Sequence, residues 1–274
     1  MANTKTSPVE KDLVSEALEL CRQDCRVKDP DRYFSTLFSS PTVRTALWTL
    51  YAFNAEIASV RESVSEPMIG HIKFQWWREA ILDINSVKGK THHLQLAISD
   101  LTQKFDFPIS ELILLIDFRE SDLEETPPLD LKALYAYAHG TAGKLAELVF
   151  NILCPDKIQD RNSAINIGTA WGLTGLVKAA PYHLQQGKNF FPNMPNTTTP
   201  YIDGAETISS VLDFASDLIK VRISQKYRPL SVLVPLIEDD IKILRSLLGT
   251  AHNFPSCNIF TRQWKMCKKA WFNI

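Results

Sequence analysis

The chain reads as an all-α protein, and three observations predict it. Apolar residues recur at three- and four-residue steps over most of its length, proline and glycine fall where those periods end, and no two-residue turn joins a pair of alternating apolar and polar runs. No internal repeat is present. Ser7-Pro8 opens a first helix, in which Leu13, Ala17, Leu18 and Cys21 share a side as far as about Cys25. A second begins near Asp31. A third is predicted from Ser40-Pro41 to about Val64, with Val43, Leu47, Leu50 and Tyr51, then Asn54, Ile57 and Ala58, along one side. Glu66-Pro67 stops it, because proline disfavours a helical residue before it and suits the first turn of the next helix.

Further helices are predicted over 68–84, 92–104, 109–123, 130–153, 160–184, 205–226 and 229–248. The stretch Gly187 to Thr207, rich in Asn, Pro and Thr, is the long non-helical segment, read either as a lid or domain-crossing loop or as a surface connection. Asn258 to Trp271 forms a short terminal helix with Trp264 and Trp271 a heptad apart, docked on the body.

With 274 residues, 45% of them hydrophobic, the chain can bury a substantial core as one large domain or two small ones. Thirty basic residues against 31 acidic ones argue against a broad nucleic-acid-binding surface and leave room for a local basic pocket. The five cysteines are odd in number and lack zinc-type CxxC pairs, which favours a reducing compartment. Cys21 and Cys25, one turn apart, read as small packing residues, since no second pair or nearby histidine completes a ligand set. The N-terminal stretch has neither the apolar run of a signal peptide nor the arginines of a transit peptide, so a cytoplasmic location is expected. The most apolar run, Leu112 to Ile116, is far too short to span a bilayer, and any membrane contact should be peripheral.

Four segments carry a resemblance. ALWTLYAF (Ala46 to Phe53), FRESDLEE (Phe118 to Glu125, with Asp122), YAHGTAG (Tyr137 to Gly143) and WGLTGLVKAAPYHLQQGKNFFP (Trp171 to Pro192) together resemble, in this order, the squalene/phytoene synthase family. The resemblance covers roughly residues 10 to 250. It implies an isoprenoid synthase-type helical bundle around a central cavity, a single domain over 1–274 with a tail from 251. It also implies head-to-head joining of two prenyl diphosphates. In that chemistry, acids one helical turn apart on two opposed helices hold Mg²⁺, which with arginines draws off diphosphate, and a dry aromatic cavity shelters the cation.

Carried over by position, the acids of the first helix fall on Ala58 and Glu62, and those of the second on Ala179 and His183, while the preceding basic residue is kept as Lys178. Alanine supplies no ligand, and imidazole is a poor one for Mg²⁺. Glu56 lies about 200° round the helix from Ala58 and is a poor substitute. The acidic run Glu238 to Asp240 reads as a solvated helix end or turn. Candidate ligand- or diphosphate-binding residues are Arg44, Tyr51, Arg61, Tyr137, Lys178 and Lys188; if catalysis is retained, Glu62, Asp122 and Lys178 would carry it. Of the adjacent Trp76 and Trp77, at most one can face inward.

The segment FNAEIASVRESVSEPMIGHIKFQWWREA resembles one branch in particular, the complex I assembly factor 6 branch and its bacterial relatives. That resemblance implies a non-catalytic binding or assembly factor with no cofactor, near membrane-associated respiratory machinery, its cavity holding an isoprenoid or lipid or serving as core. The location implied is cytoplasmic and peripheral to the inner membrane, or alternatively the mitochondrial matrix. The alternative function is a prenyl-diphosphate transferase with an atypical Mg²⁺ site. A hydrolase built on His139 or His183 has no nucleophile motif behind it.

Overall fold

The computed structural model of the chain describes residues 8–84, 92–105, 107–154, 160–220, 224 and 227–272. Among the described residues the secondary structure is helical, with no strand. The chain divides into two compact units, Met1–Glu120 and Ser121–Ile274.

The first unit holds α1 (Pro8–Lys28), α2 (Pro30–Thr36), α3 (Pro41–Ala58), α4 (Pro67–Leu82), α5 (His93–Phe105) and α6 (Ile109–Glu120). Four of these open on a proline in the first turn, where the missing N–H has no helical acceptor to lose. α3 is the core helix: Leu47, Leu50, Phe53 and Ile57 are fully buried, and it packs on α1, α2, α5 and α6. Cys21 and Cys25 point from α1 into this core, where burial pushes the Cys21 thiol up to about 12 and raises that of Cys25 as well, so both pack as apolar groups. α4 buries Gly70, Phe74, Trp77 and Ile81 and is clamped to α6 by Arg78, which reaches Asp117 at 2.8 Å and Glu120 at 2.5 Å.

The third helix ends at Ala58 and not near Val64. Ser59 and Ser63 turn their hydroxyls back onto the carbonyls of Glu56 and Val60, each at 2.9 Å, and the chain tightens into a 3-10 turn at Arg61–Ser63. Such local bonds compete with helix propagation.

The second unit is built on α9 (Arg161–Gln185). Around it lie α7 (Leu131–Ala138), α8 (Lys144–Leu153), α10 (Pro200–Asp203), α11 (Ala205–Leu218), α12 (Arg228–Ser231), α13 (Val234–Leu247) and α14 (Ile259–Phe272). The helix predicted over 130–153 is interrupted by a π turn at His139–Gly143, where Thr141 donates its hydroxyl to the Tyr137 carbonyl. This turn meets α9 backbone to backbone. A β-carbon on Gly168 would overlap the Ala142 carbonyl and the Ala146 side chain, and one on Gly172 would stand 2.7 Å from the Ala142 methyl. The predicted helix over 229–248 is likewise split, because Pro235 is tolerated in the first turn of α13 but not inside a longer helix. The predicted extension of the 205–226 helix falls partly on residues outside the described set; α11 itself ends at Leu218.

Pro181 lies inside α9 and removes the N–H that would bond the Val177 carbonyl. The buried Tyr201 hydroxyl from α10 replaces it, donating to Val177 O at 3.0 Å. Burial pushes the Tyr201 phenol up to about 12, so it remains a donor at any physiological pH. α9 closes on Gly187, whose φ of 74° allows Lys188 N–H to reach the His183 carbonyl at 2.9 Å and Gly187 N–H to reach that of Leu184 at 3.0 Å. The segment beyond is part buried and part surface, with Asn193, Pro195, Asn196 and Thr198 exposed. Residues 188–192 and Met194 are buried, Asn189 ties both sides of the turn through Phe191 N–H and the Met194 carbonyl, and Thr199 leads into α10.

Two substitutions on one helix should therefore act with opposite sign. Gly168→Ala is expected to lower unfolding free energy by about 1–3 kcal/mol through forced separation of α9 from the π turn. Gly175→Ala, where nothing lies within 4 Å of the added carbon, should be neutral or stabilise by up to about 1 kcal/mol. Tyr201→Phe, which strands the Val177 carbonyl, should cost about 1–3 kcal/mol. Denaturant melts of the three variants measure all of these.

Candidate functional site

Several of the residues singled out from sequence gather in the second unit around Phe190. Asp122 sits in a 3-10 turn at Ser121–Leu123 and is buried, its carboxylate accepting the Tyr137 hydroxyl at 2.6 Å. The Tyr137 ring stands 5.7 Å from Phe190, the His183 ring meets Phe190 edge-on at 5.0 Å, and the Lys188 ammonium lies 5.2 Å from the Phe190 ring centre. Local folding explains the convergence. The glycine-terminated end of α9 reverses the chain directly after His183, so Lys188 and Phe190 are brought back alongside the last turn of the helix.

Lys188 is buried, and its ammonium donates to the carbonyls of Ser121 at 3.2 Å and Glu124 at 2.5 Å. It thereby satisfies backbone acceptors at the turn that carries Asp122. Chemically the cluster offers a buried carboxylate held by a phenol, a lysine held by carbonyls, and a half-buried imidazole against an aromatic ring.

Lys178 is drawn elsewhere. It donates to Asp240 Oδ2 at 2.9 Å, with its ammonium 4.8 Å from the Phe254 ring centre, while Arg262 grips the same carboxylate through Nη1 at 2.7 Å and Nη2 at 3.3 Å. Asp240 is 2% exposed and Arg262 8%. The acidic run at Glu238 to Asp240 is thus not a solvated helix end: it lies mid-helix in α13, with Asp240 facing inward, Asp239 paired with Lys265, and Glu238 exposed. The periodicity held the signal, since Leu236, Asp240 and Leu244 recur every four residues on the buried side. Arg262 shares its own buried phase with Met266 and Ala270 in the same way.

In the first unit, the Arg44 guanidinium donates to the carbonyls of Leu37 and Ser39 at 3.2 and 3.0 Å and so closes the turn between α2 and α3. Tyr51 is 1% exposed beneath the Arg32 guanidinium, 5.2 Å from its ring centre, and burial raises its phenol further above the usual range. Ala58 is the last residue of α3 and half-buried, whereas Arg61 and an exposed Glu62 lie on the separate 3-10 turn. The regular i, i+4 helix face expected of Ala58 and Glu62 is therefore not continuous. In α9, Ala179 and His183 are half-buried and flank Pro181. Trp77 packs inward at 3% exposure, edge-on to Phe53, while Trp76 is 41% exposed. Among the described residues, no three His, Cys, Asp or Glu side chains gather in a group able to hold a metal ion.

The Asp240 arrangement sets an order of costs. Arg262→Ala leaves a buried carboxylate with only a partly exposed lysine and should destabilise by about 3–5 kcal/mol. Lys178→Met, which leaves the Arg262 pair intact, should cost about 1–2 kcal/mol. Equal losses in chemical denaturation would contradict the assignment of Arg262 as the principal partner.

Comparison with known proteins places this geometry. A dehydrosqualene synthase crystallised with a ligand superposes with a TM-score of 0.78 at 14% identity, covering 95% of this chain and 97% of that one. A squalene synthase from Alicyclobacillus acidocaldarius gives 0.64 at 17% identity, covering 96% and 95%. The fold is therefore that of the isoprenoid synthase-type helical proteins. In sequence the chain is 28% identical over 172 residues to human NADH dehydrogenase (ubiquinone) complex I, assembly factor 6, covering 63% of this chain and 52% of that protein. A chloroplastic phytoene synthase from an Oncidium hybrid cultivar is 24% identical over 190 residues, covering 66% and 45%. The chain spans about half the length of the curated relatives it matches. With the helical fold, the ordered motifs and a squalene/phytoene synthase family model matching residues 25–195, the chain belongs to the squalene/phytoene synthase family.

Proposed function

We propose that this chain is a non-catalytic member of its family that binds and assists assembly of a respiratory NADH dehydrogenase at the membrane, from the bacterial cytoplasm or the mitochondrial matrix. The observation that carries this reading is the set of residues at the four acid positions. Ala58 and Ala179 have no donor atom, His183 offers a nitrogen to an ion that prefers oxygen, and Glu62 stands exposed on a turn beyond the end of α3. This donor set does not fit a magnesium ion. Two basic candidates are also committed to structure, Lys188 to backbone carbonyls and Lys178 to Asp240. The likeness to proteins named complex I assembly factor 6 supports the assembly role.

A second reading, prenyl transfer with an atypical Mg²⁺ site, draws on the dehydrosqualene synthase fold and on Glu62 and Asp122 as remaining carboxylates. Purified protein incubated with farnesyl or geranylgeranyl diphosphate and Mg²⁺ should release no diphosphate above a protein-free control. Product that disappears in Glu62→Ala would establish the second reading instead. Deleting the gene in its source cell should lower the amount of assembled NADH dehydrogenase on native gels, and Glu62→Ala should restore it as well as the unaltered chain does. Restoration by the unaltered chain alone would show that the carboxylate is used.

A further inference from the structure

We propose that His92 is a proton-sensitive cap for α5: neutral, it holds the first turn of the helix, and protonated, it lets that turn go. The neutral ring accepts the Leu94 N–H on Nδ1 at 3.2 Å, while the His92 N–H donates to the Gln95 side-chain oxygen at 3.1 Å. The two bonds form a reciprocal capping box, with histidine standing where serine or threonine is usual. A hydroxyl keeps its acceptor at every pH, whereas an imidazole loses it when Nδ1 takes a proton. Two N–H groups would then face each other, and a cation would stand at the positive end of the helix dipole. The turn matters to the core, because Leu94 and Gln95 are buried and α5 packs on α1 and α3.

Aromatic and charged groups of the first unit surround this ring. Trp77 of α4 meets it nearly perpendicular at 5.1 Å and Trp76 at 6.2 Å, and these contacts hold the ring in the orientation that aims Nδ1 at the helix. His93 stacks on its other side at 4.5 Å, 25° from parallel, and pairs through Nε2 with Asp24 Oδ2 of α1 at 3.0 Å. Lys28 of α1 lies 3.4 Å from Asp24 and 3.9 Å from Glu56 of α3. Burial is the largest influence on His92 and favours the neutral form; His93 and Lys28 act in the same direction, and the carboxylates of Glu56 and Asp24 oppose them. The balance holds His92 below its ordinary value of 6.5. Its capping stability is therefore present in full above pH 6.5 and is lost as the pH falls through the lowered value. The device acts within the first unit and does not rest on the proposed assembly role.

Hydrogen exchange of the full chain tests the inference, followed at the Leu94 amide from about pH 8 to about pH 5 and corrected for the intrinsic pH dependence of exchange. Protection at Leu94 should fall about fivefold or more across that range, the change expected for loss of one cap. His92→Asn, which caps through an amide oxygen that does not titrate, should keep the Leu94 amide protected at both ends of the range. His92→Ala should leave it poorly protected throughout. Protection that does not change with pH in the unaltered chain, an equal acid-induced loss in His92→Asn, or full protection at high pH in His92→Ala would overturn the proposal.

Discussion

The close approach of α9 to the π turn at His139–Gly143 is the constraint on which the second unit depends. Small residues line both sides of that contact: Gly168 and Gly172 on the helix, Ala142 and Ala146 opposite. Backbones can come this close only where side chains are nearly absent, and every dispersion contact along the seam follows from that approach. With α9 held there, Lys178, His183 and the turn at Gly187 are carried to fixed positions, and the buried segment 188–192 must fold back against the helix that precedes it. The proline inside α9 is accommodated by the same means, because α10 arrives with a tyrosine hydroxyl where the backbone lacks a donor.

Charge in this unit is organised inward. Asp240 has an arginine and a lysine on its carboxylate, and Asp122 accepts the hydroxyl of Tyr137. Lys188 donates to two carbonyls. Such bonds offset the cost of taking charged and polar groups out of water. Lys178 and Lys188 therefore each have a structural partner within the second unit. The first unit behaves alike at Arg44, which closes a turn between helices.

The family relationship and the proposed assembly role meet at this point. A helical fold shared with prenyl synthases can serve binding as well as catalysis, and the proposed assembly role draws on the former.

Sequence by itself determined the helical class, most helix starts and the family, because apolar periodicity and first-turn prolines are local properties written in consecutive residues. It also located the terminal helix with its paired tryptophans, and it required that at most one of Trp76 and Trp77 face inward; the structure decided that this is Trp77. Only the tertiary structure decided where charges go. Asp240 looked solvated as part of an acidic run, yet its partner Arg262 lies in another helix, and no spacing rule links the two. The segment after Gly187 had the composition of a surface loop, but Asn189 bonds the neighbouring backbone and allows residues 188–192 to be buried. The end of α3 at Ala58 was likewise hidden, since serine hydroxyls that compete with helix bonds are read from geometry and not from periodicity. Local pattern specifies elements; the pairing of distant polar groups depends on which elements the packed core brings together.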